Sequence, residues 1–415
     1  MRLSIVLGVK QKTSLWGRLG QTIQAVSRFH FGSTSRRGLF VASIVTASLV
    51  ITLFGTAPRA IAQLTILHNF GDGTVPNDGS TPLDGLMQTP DGSFYGVTLS
   101  HVLGRGGVIF RINPSGTYSI AENFSGPYCD YVPLYYNKEL IGAYFGRLAK
   151  KAGVVFSLTG YPNGPWSSHI WHIFTGQPND GETPVGRLIL GSDGNLYGVT
   201  DIGGTANLGT IYKVDPTSHQ VTIVYSFAGS GPVGPPVTSL LLAADGNYYG
   251  GTAPSVPSPG EIYKMTPSGH VSTFYQFSGT GSAGGPLIQG SDGNFYGVGF
   301  AISGSFTSVF KLTKAGVLTV LHTFTTADSA GVVQGPNGYL YGLTNVDGTA
   351  KKGTVYEVST DGSTFNVLHN FGDGSVKNDG AYPEGILTVG TDSNLYGVTT
   401  SGGSAGNGTV FKISP

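Results

Sequence analysis

One cysteine, Cys129, stands among 415 residues, so no disulfide can form within the chain and no thiolate cluster can hold a metal. Charge is scarce too. Asp, Glu, Lys and Arg make up 11% of the residues, against about 25% in ordinary domains. Acid is missing altogether from the first 62 residues, which carry eight bases: Arg2, Lys10, Lys12, Arg18, Arg28, Arg36, Arg37 and Arg59. Without that segment 15 bases face 23 acids, a net charge of −8 with no basic run. A chain of that charge has no footprint for a phosphate backbone, which excludes nucleic acid as a partner. Beyond residue 62 no stretch keeps a helical period over three turns. What abounds is glycine, 66 residues, with 11% aromatics. Low charge with much Gly and aromatic content points to β-structure with many tight turns.

The acid-free lead reads as an export signal over residues 1–62. Its basic region precedes Leu39 to Phe54, an uncharged run of 16, and Ala60-Ile61-Ala62 comes next as a small-residue cleavage pattern. A membrane-spanning helix needs about 20 apolar residues, so cleavage is favoured over an uncleaved anchor, and no stable span is expected afterwards. Ser35-Arg36-Arg37-Gly38-Leu39-Phe40 is similar to a twin-arginine signal, although its Phe lies further from the arginines than that pattern wants. The long basic region leaves open a start codon downstream of Met1.

The remainder, 63–415, repeats. ILHNFGDGTVPNDG from Ile66 returns as VLHNFGDGSVKNDG from Val367, with eleven of fourteen positions identical. Seven copies of a D-G-N-L-Y-G type segment end at Gly96, Gly142, Gly198, Gly250, Gly297, Gly342 and Gly397, spaced by 45 to 56 residues. Each unit runs in one order: a short apolar run, a turn, the L-Y-G-V-T strand, a Gly-rich loop, a G-T-V-F-K strand, a turn, and a V-L-H-N-F strand. The runs are short, aromatic and β-branched, and are bounded by Gly, Pro, Asp and Asn, as hairpin strands are.

The expected fold is therefore all-β: a seven-bladed β-propeller with four antiparallel strands per blade. Apolar residues on consecutive strand positions fit blades packed on both faces. A β-solenoid is the alternative, but its coils are usually shorter and more uniform. The chain beyond residue 62 opens, after Gln63, with LTILHNF, a fourth-type strand, and ends with GTVFKISP, a third-type strand. The N-terminal strand can therefore complete the last blade and remove an open edge.

The order DGNLYGVT, GG…GTVFK, VLHNF, DG…P, running over nearly all of Gln63 to Pro415, resembles the tandem-repeat GloVer-containing proteins, a family of exported bacterial proteins. The likeness is close in repeats three and seven and weak in repeat two. It implies a propeller-like repeat protein and export, and brings no catalytic residues. Members often end in a sorting anchor. None is visible here, which implies a released or periplasmic protein.

Residues filled in every repeat are read as scaffold. His68, His322 and His369 share a position with Glu122, His172, Tyr225 and Tyr275. His169 and His172 flank Ile170-Trp171 and are expected on opposite faces of a strand. The G-x-S-x-G from Gly402 and the G-x-G-x-x-G segments from Gly229 and Gly279 lead into strands rather than helices, so neither a nucleophile elbow nor a phosphate loop is expected. The inter-blade turns are acidic. Asp72, Asp78, Asp180, Asp373 and Asp379 are candidate calcium ligands, against the plainer reading that Asp and Asn stabilise tight turns. No other cofactor is evident.

Irregular loops on one funnel face are where function is sought. His101, Arg105 and Asp201 are the catalytic candidates, if three loops converge. Tyr128, Asp130, Tyr131, Asp347 and Lys351 are the ligand-binding candidates. Cys129 is read as a buried small residue. The leading expectation is an exported, periplasmic or extracellular, monomeric propeller that binds a glycan or protein without catalysis. The alternatives are a secreted lyase or hydrolase acting on a polysaccharide or small natural product, and a structural envelope protein.

Overall fold

The computed structural model describes residues 62–100, 106–123, 131–145, 153–160, 166–228, 231–232, 234–255, 258–302, 307–325 and 329–415. Apart from Ala62, the export lead therefore lies outside the described residues. Among the described residues no helix is long and apolar enough to cross a membrane.

Seven antiparallel sheets succeed one another along the chain. Blade 1 holds Ser80–Gln88, Phe94–Ser100, Val108–Ile112 and Tyr118–Asn123. Blades 2 to 6 repeat that order over 134–173, 184–226, 241–276, 282–324 and 332–370, blade 5 with its first strand in two short pieces. Blade 7 holds Ala381–Val389, Leu395–Ser401 and Thr409–Ser414, and takes its fourth strand from Gln63–Asn69. Gln63 lies opposite Ser414 and Asn69 opposite Thr409. The ring closes as the repeat phase requires, and antiparallel ladders throughout set the solenoid aside.

The repeated letters have three physical jobs. First, the Gly of each Y-G pair lies opposite a third-strand aromatic: Gly96 opposite Phe110, Gly198 opposite Tyr212, Gly397 opposite Phe411. The ring crosses the glycine where a Cβ would collide with it. Second, the Asp of D-G-N ties the turn to the sheet. Asp193 Oδ1 accepts the Asn195 N–H, Oδ2 accepts Asn195 Nδ2 and the Tyr197 hydroxyl, and Lys213 lies 3.6 Å away. The same bracket recurs at Asp292, where burial would raise the carboxyl but bonds from Asn294, Tyr296 and Lys311 hold it well below the usual carboxylate range. Blade 6 changes both ends together. Asn337 donates to the Tyr341 hydroxyl, and buried Glu357 takes the lysine position and accepts from Asn366 Nδ2.

Third, every fourth strand carries one extra residue: Leu67, Ala121, Trp171, Val224, Phe274, Leu321 or Leu368. Such a bulge flips the face used by the residues after it. It corrects one expectation. His169 lies opposite Ser157 and His172 opposite Val155, two positions apart on the partner strand, so the two histidines share a face. Between blades, aromatic and β-branched side chains interlock, as where Tyr296, Val298 and Val309 of blade 5 meet Leu340, Tyr356 and Val358 of blade 6. Burying each such side chain contributes about 1.5–3 kcal/mol.

Candidate functional site at the axial mouth

The segments entering each first strand and the loops between second and third strands meet on one face. The Glu182 N–H donates to the Ile202 carbonyl, and the Gly204 N–H to the Asp180 carbonyl. Below that face, where Leu83 lies opposite Val97 and Glu384 opposite Val398 at the middle of the second strands, the innermost strands of blades 7 and 1 come into backbone contact. A Cβ at Gly85 would strike the Ile386 carbonyl, and one at Gly385 would strike the Asp84 backbone. Both glycines have positive φ, 74° and 76°. Only residues without a Cβ allow this approach, which draws Asp84 and Glu384 together.

Asp84 is bonded across the axis. Arg187, in the first strand of blade 3, places Nε 2.8 Å from Asp84 Oδ2. Its Nη1 donates to the Leu86 carbonyl at 3.3 Å, and Nη2 donates to the Asp84 carbonyl. Asp84 Oδ2 also accepts the Val132 N–H at 2.8 Å, where the chain enters blade 2. The guanidinium therefore spans from blade 3 to blade 1, past the intervening blade. Glu384 faces this bar from blade 7. Partial loss of hydration among the surrounding strands pushes its carboxyl above the usual range, and the charge of Asp84 adds to the effect.

Beside Glu384 stands Tyr382. Ala381, Pro383 and Gly385 are buried while Tyr382 and Glu384 are exposed, so both side chains reach solvent from this strand. Tyr382 has φ 55°, in the left-handed region that a bulky residue rarely adopts. Its N–H donates to the Lys352 carbonyl at 2.7 Å, and its carbonyl accepts the Thr400 hydroxyl at 3.0 Å. Backbone strain of this kind costs about 1–3 kcal/mol and persists where the surroundings enforce it.

Of the catalytic candidates, His101 and Arg105 lie outside the described residues, as do Tyr128, Cys129 and Asp130. Asp201 lies in the blade 3 loop beside Thr183 and Glu182. Burial pushes its carboxyl up, with Glu182 adding to the shift, and Oδ1 is enclosed without a hydrogen-bond partner among the described residues. Tyr131 is partly buried at the approach to blade 2. Lys351, 69% exposed at its side chain, lies 3.9 Å from Asp347 in the blade 6 loop.

The acidic turns are tied to the outer strands. His68 Nε2 lies 2.8 Å from Asp78 Oδ2, His369 Nε2 lies 2.8 Å from Asp379 Oδ2, and His172 Nε2 lies 3.0 Å from Asp180 Oδ2. The N–H groups of Gly71 and Gly372 donate to Asp78 and Asp379. Asp72 accepts from Thr74, and Asp373 from Ser375. Among the described residues no group of three or more His, Cys, Asp or Glu side chains is arranged to hold a metal ion.

Reading by residue type missed Asp84, Arg187, Glu384 and Tyr382. The signal was present: in the first-strand runs GLMQT, PLYY, GRLIL, SLLLA, PLIQ, GVVQ and GILTV, Arg187 is the one charged residue.

Seven four-stranded sheets closed through the N-terminal strand define a seven-bladed β-propeller. The chain belongs to the Gloeobacter/Verrucomicrobia repeat family, whose profile matches residues 139–332 and 308–415. No curated protein matches it in sequence. Among solved structures it is similar to an oligogalacturonate lyase in complex with manganese (TM-score 0.55, 10% identity, 85% of this chain and 93% of that one). It is also similar to an oligogalacturonate lyase from Vibrio parahaemolyticus (TM-score 0.52, 10% identity, 86% and 94%). A third is the extracellular domain of a hybrid two-component system from B. thetaiotaomicron (TM-score 0.52, 11% identity, 84% of this chain). The chain spans 39% of the length of that extracellular domain. At these identities the likeness is one of fold.

Proposed function

We propose that this is an exported, monomeric binding propeller that holds a polar ligand at the axial mouth. The observation that carries this reading is the Arg187–Asp84 bar, which joins blade 3 to blade 1 below the mouth, with Glu384 facing it and Tyr382 exposed two residues nearer the loop face. Three charged side chains from three blades come together there, and an exposed aromatic, Tyr382, stands two residues from Glu384. Export rests on the basic, acid-free lead and its Ala60-Ile61-Ala62 pattern. The family resemblance supports export too.

A second reading, a lyase or hydrolase, is favoured by Asp201, a partly enclosed carboxyl beside Glu182 whose Oδ1 has no hydrogen-bond partner among the described residues. The test is thermal unfolding of the exported protein with oligosaccharides, with calcium and with chelator. A ligand at 100 times its Kd adds about 2.7 kcal/mol, which moves the midpoint of a domain this size by about 4 °C. The binding reading requires such a shift with an oligosaccharide and its loss in the Asp84→Asn/Arg187→Met double variant. Turnover lost in Asp201→Asn would favour the enzyme. A shift with calcium alone would assign the acidic turns to the metal, and no shift at all would overturn the binding reading.

A further inference from the structure

We infer that Tyr382 and Glu384 form a subsite for a neutral pyranose unit of a glycan, with the tyrosine ring as platform and the two carboxylates at the mouth as hydroxyl acceptors. This rests on the binding reading and names its ligand class. Sugar recognition needs an apolar face for the C–H side of the ring and fixed acceptors for its hydroxyls. Tyr382 is 42% exposed, yet its backbone is fixed on both sides by Lys352 and Thr400. An exposed aromatic held rigid loses little freedom on binding. The equivalent residue of blade 1, Thr81, has the same φ of 55° and the corresponding bond from its N–H to the Asn407 carbonyl. The backbone turn is thus common to both blades, and only blade 7 places a ring on it.

Charge decides between neutral and acidic sugars. Glu384 and Asp84 are the carboxylates at this point, and the Asp84 charge already bears on the Glu384 carboxyl. The cation beside them, Arg187, spends Nε, Nη1 and Nη2 on Asp84 Oδ2 and the carbonyls of Leu86 and Asp84. A uronate would meet two carboxylates and a guanidinium whose charge is paired with Asp84 and which has three of its five N–H donors engaged. The fold shared with oligogalacturonate lyases therefore does not extend to an acidic sugar at this mouth.

The experiment is calorimetric titration of the exported protein with hexasaccharides of glucose, mannose, galactose and xylose in their common linkages, and with trigalacturonate. At least one neutral hexasaccharide should bind, with trigalacturonate at least tenfold weaker. Tyr382→Asn should weaken binding by tenfold or more without lowering the melting temperature, because Asn tolerates the left-handed backbone. Tyr382→Phe should keep the affinity within about threefold, and Glu384→Gln should weaken it less than Tyr382→Asn does. Tighter binding of trigalacturonate would overturn the subsite while leaving the binding mouth intact. Neutral binding that ignores Tyr382→Asn would do the same. Failure of every sugar, neutral and acidic, would overturn the subsite and remove the support that the binding reading draws from the mouth.

Discussion

Replacing Arg187 by Met tests whether the axial bar holds the ring together. The pair is neither buried nor free, with side-chain exposures of 27% for Arg187 and 15% for Asp84. Breaking a fully buried pair costs about 3–5 kcal/mol and an exposed one about 0.2–1, so a loss near 2 kcal/mol is expected. Unfolding entropy of about 2.1 cal/mol/K per residue, over the roughly 350 residues of the propeller, gives about 0.7 kcal/mol/K. The midpoint should therefore fall by about 3 °C in scanning calorimetry. Asp84→Asn alone should cost a similar amount, because it weakens the same contact and the bond from the Val132 N–H. The double variant should cost much less than the two losses added, a coupling of about 1–2 kcal/mol. A single-variant shift below about 0.5 °C, with the two effects simply adding, would refute the strut: surface substitutions routinely do that little.

Three further outcomes rest on the same geometry. His322 is stacked on Phe365 with centroids 3.6 Å apart, and burial lowers its basicity against the opposing charge of Asp347. The unfolded chain therefore binds the proton more readily, so stability is full above the ordinary histidine pKa of about 6.5 and declines as pH falls below it. His322→Phe should flatten that decline in melts between about pH 7 and 5, and an unchanged slope would rule out His322 as its source. Asn337→Asp would set a carboxylate in the blade 6 bracket that carries Glu357. It should cost about 1 kcal/mol by chemical denaturation, most of it regained when Glu357→Lys is added. Asp78→Ala would strand His68 and the Gly71 N–H inside the ring closure. A loss of about 2–4 kcal/mol should appear in the same assay, and a loss under about 1 would show that the turn stands without this clip.

The repeats were readable in the chain because each repeated letter answers a local demand. Gly198 must clear the Tyr212 ring, Asp193 must bracket its turn, and Phe227 must fill the gap between blades. Such demands recur in every blade, so they recur in the sequence at one spacing. The bulge at Trp171 was not readable from alternation alone, because one extra residue leaves composition unchanged while reversing the face of the residues after it.

By itself, the sequence determined the number of blades, the strand order within each, and the closure of blade 7 by Gln63–Asn69. Those come from period and phase, which are properties of a line. The meeting of Asp84, Arg187 and Glu384 was decided only by the tertiary structure. Asp84 and Arg187 are 103 residues apart, and they meet because ring closure points several first strands toward one axis. Which residues share that axis depends on where Gly85 and Gly385 let two backbones touch, a contact that no local spacing encodes.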